Sequence, residues 1–309
     1  MTAPETVALI ALLRIGRRPW PIYAELLEEA GGALPVLERE LTERDDGQAS
    51  LLPRLPDALY TLDAPNASST PDGLLEAAAA DVAGWEAHGI QLLTVLDRDY
   101  PNNLRAVHDR PPVIFVAGTL ERRDTRSLAV VGSRRASPTG LEQAREIVFR
   151  LVHDGYVVTS GLAAGIDTAA HSTTLAAGGR TLAVIGTGLA HSYPRQNAAL
   201  QREIAARGAV VSQFRPEIRP SRRTFPLRNA VMSGLTLGTV IVEASHTSGA
   251  RVQARLALAH GRPVFLARPL LSQDWARELS DRPGTHVFSS PSEITDVIER
   301  LTSAGALVA

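Results

Sequence analysis

From residue 90 onward, short apolar runs rich in β-branched residues alternate with stretches of helical spacing, and that alternation leaves few folds open. The runs cover 90–95, 113–116, 128–131, 156–159, 181–185, 209–212, 239–243, 263–266 and 286–288. Helices are predicted between most of them, over 140–153, 166–177, 198–207, 250–260 and 293–301. Strands that are apolar throughout belong in a parallel sheet with helices on both faces. The stretch before residue 90 is different. Val7, Leu9, Ile10, Leu12 and Leu13, then Ile22, Leu26 and Leu27, recur at helical spacing, and Gly31-Gly32 interrupts the pattern. Further helices are predicted over 34–41 and 74–89, and the Pro-, Asp-, Ser- and Asn-rich segment 45–72 reads as a linker. The chain therefore predicts a small all-helical domain with its linker over 1–88 and an α/β domain over 89–309 built on a doubly wound, mostly parallel sheet.

Composition excludes several chemistries. Among 309 residues there is no cysteine, so disulfides, thiolate nucleophiles and Cys-ligated zinc or iron–sulfur centres are out. No uncharged apolar stretch reaches the length of a membrane span, and the N-terminus lacks the basic start of a secretory signal. A soluble, cytoplasmic protein with no membrane partner is expected. The net charge of −1 conceals an asymmetry. Residues 1–121 carry 9 Arg against 19 acidic residues, 122–228 carry 16 against 7, and 229–309 carry 7 of each. A basic middle segment is a footprint for a polyanion, or simply a solvated charged face.

Ligands of doubly wound sheets bind outside the C-terminal ends of the strands. There the sequence places Gly132-Ser133-Arg134-Arg135, then Ser160-Gly161 running on to Gly165, then Gly186-Thr187-Gly188 with Tyr193-Pro194-Arg195. Each is a small, glycine-containing turn ahead of a helix, and helix N-termini attract anions. Three such turns side by side predict a phosphate-binding crest. The segment 215–235 adds Arg215, Arg219, Arg222, Arg223 and Arg228 around Phe225, followed by Asn229 and broken up by Pro216, Pro220 and Pro226. As a basic, proline-stiffened loop with one aromatic it suits a single strand of nucleic acid, with bases stacking on the ring and arginines following the backbone. The alternative is that Phe225 plugs the core beneath a long loop.

Familiar catalytic signatures are missing. A Walker A loop needs lysine, and the chain has none. Gly186-x-Gly188 is followed by His191 where the dinucleotide fingerprint needs a third glycine, and no Gly-x-Ser-x-Gly elbow exists. Asp167 and His171 stand four apart without a third metal ligand, which predicts an intrahelical hydrogen bond rather than a metal site. Glu243, near His246 and Ser248, is a lone carboxylate. The sequence thus predicts no enzyme, no metal and no cofactor.

Several segments together resemble the DNA-processing protein A (DprA, or Smf) family. They are Tyr100-Pro101-x-x-Leu104 with Arg110-Pro111-Pro112, Val130-Val131-Gly132-Ser133-Arg134, and Ser160-Gly161-x-Ala163-x-Gly165-Ile166-Asp167-x-x-Ala170-His171. Further along come Gly186-x-Gly188 with Tyr193-Pro194, Phe225-Pro226-x-Arg228-Asn229 with Ser233-Gly234-Leu235, and Val242-Glu243-Ala244 with Ser248-Gly249. The resemblance implies an extended Rossmann-like fold behind a sterile-alpha-motif-like helical domain. It also implies a homodimeric single-stranded DNA-binding protein of natural transformation. Such a protein protects incoming strands and loads the RecA recombinase, without catalysis. Carried over by position, the DNA site would hold Gly132, Ser133, Arg134, Ser160, Gly161, Arg222, Phe225, Arg228 and Asn229. The crest and the basic segment add Arg135, Gly188, Arg195 and Arg223. In the expected arrangement phosphates rest on the N–H groups of the Gly132 and Gly161 turns, Arg134, Arg195 and Arg222 neutralise them, and a base stacks on Phe225.

The chain also departs from the family pattern. Ala230 stands where a second arginine is usual, and Arg251-Val252-Gln253-Ala254 replaces an aliphatic-Thr-Ala pattern. Arg268-Pro269-Leu270 and a charged stretch replace Val-Pro-Gly and Gly-Thr-Asn segments, at an edge expected to meet the dimer partner or RecA. The winged-helix domain that many members carry at the C-terminus is expected to be absent. The rival from another class is a nucleotide-processing Rossmann enzyme resembling the nucleoside-monophosphate phosphoribohydrolases. Those carry a Pro-Gly-Gly-x-Gly-Thr loop where this chain reads Val242-Glu243-Ala244-Ser245.

Overall fold

The computed structural model describes residues 3–45, 70–246, 248–305 and 307, so most of the predicted linker lies outside the described residues. The chain divides into two compact units. The smaller contains residues 1–100 and 109–114, the larger 101–108 and 115–309. The sequence places the boundary at 88/89, whereas the first strand and the segment up to Tyr100 group with the helices.

The smaller unit holds α1 (Ala3–Ile15), α2 (Trp20–Ala30), α3 (Leu34–Asp45), α4 (Pro71–Ala87) and β1 (Ile90–Thr94). Ala8 to Leu13 are buried without a break, so α1 is apolar all round and forms the centre against which α3 and α4 pack. Helix α3 borrows its N-terminal cap: the Glu5 carboxylate accepts the N–H groups of Ala33 and Leu34. Arg14 pairs with Asp81 at 2.5 Å, tying α1 to α4, and the buried Glu40 carboxylate pairs with Arg18.

The larger unit runs through α5 (Asn102–Arg105), β2 (Val113–Gly118, whose first two residues belong to the smaller unit), β3 (Ser127–Val131), α6 (Pro138–His153), β4 (Val157–Ser160) and α7 (Ile166–Ala176). It continues with β5 (Thr181–Val184), α8 (Ala198–Arg207), β6 (Ala209–Ser212), α9 (Thr224–Leu235), β7 (Thr239–Ile241) and α10 (Gly249–Ala259). It ends with β8 (Val264–Ala267), α11 (Asp274–Ser280), β9 (Thr285–Phe288) and α12 (Pro291–Ser303). The strands lie in the order β2-β6-β5-β4-β3-β7-β8-β9, parallel throughout except where β2 runs antiparallel to β6. All nine strands fall where the apolar runs predict them, and the fold is α/β, Rossmann-like and mostly parallel.

Chain direction across the sheet reverses at β3. It winds outward through β4, β5 and β6, then returns to place β7 on the other side of β3. Such a reversal parts the turns that follow the two neighbouring strands and opens a crevice between them.

One expectation needs correction. The segment 215–235 is not a loop throughout, because α9 begins at Thr224 and takes in Phe225, Arg228 and Asn229. Pro226 falls in the first turn, where its missing N–H has no intrahelical partner to lose. The charged stretch before residue 282 also contains a helix, α11, which buries Trp275, Ala276 and Leu279.

Candidate functional site

An open cleft of about 820 Å³ lies at the β3/β7 reversal, lined by the turns after β3 and β7 and by the first turns of α9 and α10. Of the residues singled out from sequence, Gly132, Ser133, Arg134, Arg135, Arg222, Phe225, Arg228 and Asn229 line it. Ser160, Gly161, Gly188, Arg195 and Arg223 do not.

The outer wall is aromatic and cationic. Phe225 is half-buried, with its ring held over Gly186, where a Cβ would come within 2.8 Å of the ring. It is therefore not the buried plug of the alternative reading. Tyr193, 45% exposed, tilts towards it at a centroid distance of 5.7 Å. The guanidinium of Arg134 lies 5.0 Å from the Phe225 centroid, in cation–π range. Arg134, Arg135 and Arg222 are exposed, and none of them forms an ion pair with a described residue.

The strand-end turns behave differently from the expected phosphate crest. Several of their donors are already engaged within the protein. The N–H of Ser133 donates to the Glu243 carbonyl at 2.6 Å. The Glu243 carboxylate accepts the N–H of Ser137 at 3.1 Å and its hydroxyl at 2.5 Å, while Ser137 Oγ accepts the N–H of Gly140. The N-terminus of α6 is thus capped by a carboxylate from across the reversal, a better neutraliser of its dipole than water. A Cβ on Gly140 would collide with that carboxylate and displace it from Ser137. At α7, the Ile166 N–H donates to the Ser133 carbonyl at 3.2 Å, and Asp167 accepts the Ala163 N–H at 3.3 Å. The groups beside these turns that stand free to meet an anion include the exposed guanidiniums of Arg134, Arg135 and Arg222.

Arg228 serves the architecture of the cleft from inside. It is 6% exposed, and its Nη1 donates to the carbonyls of Gly161 at 2.6 Å and Val184 at 2.8 Å, while Nε donates to Asn229 Oδ1 at 2.9 Å. A side chain on Gly161 would occupy the guanidinium's place. The same turn holds Leu162 at φ +57°, and Asn197 Nδ2 fixes its carbonyl at 2.9 Å. A left-handed leucine persists only where its surroundings over-determine it, and Arg228 and Asn197 do so from two sides. Burial pushes the Arg228 pKa down and the Asp167 pKa up, each opposed by the charge of the other.

The remaining predicted residues are structural or lie apart. Ser160 is buried and donates its hydroxyl to the Val130 carbonyl at 2.7 Å. Gly188 donates its N–H to the Ile218 carbonyl at 2.8 Å. Arg195 and Arg223 are exposed outside the cleft. The predicted Asp167–His171 hydrogen bond does not form. His171 Nδ1 bonds Thr181 Oγ1 at 2.7 Å, and burial, together with Arg228, holds the ring's pKa down to about 3. Sequence reasoning passed over Tyr193, Ser245, Ser248, Gln253 and Gln273 as lining residues. The one available signal was their place at or soon after the ends of β5, β7 and β8, the ends on which the reversal opens.

Comparison with known proteins agrees with this architecture. A family model described as DNA recombination-mediator protein A matches residues 91–297. Protein Smf of Synechocystis is 40% identical over 179 residues, 57% of this chain and 45% of that protein. The DNA processing protein DprA of Bacillus subtilis is 34% identical over 185 residues, covering 60% of this chain and 62% of that protein. The chain thus spans between about half and just under two thirds of the curated relatives it matches. The crystal structure of DprA from Streptococcus pneumoniae superposes with a TM-score of 0.69 at 29% identity, covering 96% of this chain and 98% of that one. Another DprA structure, from Helicobacter pylori and concerned with single-stranded DNA binding, shares the fold at a TM-score of 0.61 and 24% identity, covering 68% of this chain and 96% of that one. A family model that matches residues 91–297, well over half of the chain, places the chain in the DNA recombination-mediator protein A (DprA/Smf) family.

Proposed function

We propose that the cleft binds single-stranded DNA, and that the protein protects incoming strands in natural transformation and passes them to the RecA recombinase. The observation that carries this reading is the outer wall: a half-buried Phe225, flanked by the exposed Tyr193, beside three exposed guanidiniums from Arg134, Arg135 and Arg222. A ring accepts any base by stacking, for about 1–3 kcal/mol, and guanidiniums take the phosphates between bases. Recognition of this kind has little sequence preference and weakens steeply with salt. The family's description as a recombination mediator supports delivery of the strand to a recombinase, and a homodimer is the form proposed for that delivery.

In this reading the protein binds and does not catalyse. The two carboxylates that line the cleft are otherwise occupied, Glu243 as the cap of α6 and Asp167 buried against the Ala163 N–H. Their engagement within the protein supports the binding reading over the phosphoribohydrolase alternative. No described helix is long and apolar enough to cross a membrane. Titrating labelled oligo-dT with the protein at low and at moderate salt tests the reading. Tight, salt-sensitive binding supports it, and no binding at low salt overturns it.

A further inference from the structure

Away from the cleft, the larger unit brings two histidines together. His260 caps the C-terminus of α10, where its N–H donates to the carbonyls of Leu256 and Ala257. Gly261 follows at φ +68°, and the Arg262 N–H returns to the Ala257 carbonyl at 2.8 Å, so the helix end itself holds the backbone around His260. His108 comes from the turn after α5. That turn is pressed onto α9 at Gly234, where an added Cβ would come within 2.7 Å of Leu104 and 3.0 Å of Val107. The two imidazoles meet there. Their centroids are 5.5 Å apart with the rings inclined at 73°, and a nitrogen of one lies within 4.8 Å of a nitrogen of the other. His260 Nδ1 is hydrogen-bonded at 3.0 Å to Oγ of Ser233, a fully buried residue of α9. None of the three lines the cleft.

We propose that His108 and His260 form a binding site for a divalent transition-metal ion of the zinc, nickel or copper kind. The sequence alone predicts no metal, because the two ligands belong to segments far apart in the chain. Two imidazoles on one tetrahedral ion, at about 2.0–2.1 Å per nitrogen, have their centroids roughly 5 Å apart, so the rings need only a small turn to share an ion. Imidazole suits these ions, whereas magnesium and calcium prefer oxygen ligands. The Ser233 hydroxyl supplies the outer contact that orients a ligating histidine: with Nδ1 engaged there, Nε2 is the nitrogen that takes the metal. Water fills the other coordination positions. An ion held in this way staples the end of α10 to the turn after α5, beside Ser233 and Gly234 of α9. Helices α9 and α10 line the cleft with their first turns, so the staple ties them at their other ends. The proposal is independent of what the cleft binds.

Copper reads the site directly. One equivalent of Cu²⁺ added to the DNA-free protein at neutral pH should give an electron paramagnetic resonance spectrum split by two imidazole nitrogens. In calorimetric titration with Zn²⁺, Ser233→Ala should weaken the tightest binding step by about 10–100-fold, the usual cost of losing an orienting partner. His108→Ala and His260→Ala should each weaken it at least as much. His153→Ala, which removes a ring that is 82% exposed and outside the site, should leave it unchanged. A copper spectrum with a single nitrogen, no zinc binding by the wild type, or an equal loss from His153→Ala overturns the site. Melting temperatures without metal identify any variant whose fold is unsettled, and the nitrogen count on the wild type stands regardless.

Discussion

Glu243, at the end of β7, and Ser137, at the start of α6, are 106 residues apart in sequence and joined by a hydrogen bond of 2.5 Å between carboxylate and hydroxyl. That contact bridges the strand reversal and holds one side of the cleft. It also occupies the helix N-terminus that would otherwise attract a phosphate. Replacing Glu243 with alanine removes a charged cap, and thermal unfolding should show a loss of about 1–2 kcal/mol. Gln should recover part of it.

Arg134 and Arg228 are both near Phe225, yet their substitutions should fail in different ways. Arg134 is exposed and its loss should leave the melting temperature nearly unchanged. Losing it, or Arg135 or Arg222, should lower the slope of log affinity against log salt by about 0.7 for each phosphate contact removed. Arg228 is buried, and without it the carbonyls of Gly161 and Val184 lose their donor. Arg228→Ala should therefore destabilise the fold by about 2–4 kcal/mol, measured by denaturant unfolding.

Acid should unfold the protein partly through His171. Burial holds its folded-state pKa at about 3, below the unfolded value of about 6.5. The folded ring stays neutral while the unfolded chain takes up a proton, so this contribution is intact above about pH 6.5. It is lost as the pH falls, at up to about 1.4 kcal/mol per unit until about pH 3. A His171→Gln variant should show a shallower fall in melting temperature between pH 6 and pH 4.

Arg180 ties the start of β5 to the turn before β3. Its Nε and Nη2 reach the two Asp124 oxygens at 2.6 and 2.9 Å, and both side chains are nearly buried. Asp124→Ala leaves the buried guanidinium with Glu121, at 3.0 Å, as its remaining ion-pair partner and should lower stability by about 1–3 kcal/mol. Equilibrium unfolding measures that loss directly, and Asp124→Asn should lose less.

What could be read from the sequence follows from how local each signal is. The nine strands are legible because each is a run of apolar residues, and the parallel sheet follows from runs such as Leu128 to Val131 that are apolar on both faces. Helix α9 is not legible, because its first turn carries Pro226 among arginines and proline usually marks a break. Helix α11 has only 7 residues, too few for its buried Trp275, Ala276 and Leu279 to make a visible period. Within the site, Phe225 and Arg134 can be picked out by residue type. The burial of Arg228 under Gly161 and the capping by Glu243 depend on partners 67 and 106 residues away, which no local pattern encodes.

In the proposed function the cleft, and not the basic charge of the middle segment at large, holds the DNA. The most direct test is fluorescence anisotropy with labelled oligo-dT on four proteins: wild type, Arg134→Ala, Phe225→Ala and Arg202→Ala. Arg202 is an exposed arginine of α8 in the same basic segment and outside the cleft. Substitution of Phe225 should weaken binding about fivefold to a hundredfold through lost stacking. Arg134→Ala should weaken it and reduce its salt dependence, while Arg202→Ala stays within about twofold of wild type by the criterion that distant exposed charges are screened. Equal losses from all three substitutions, or none from Phe225→Ala, would contradict the account.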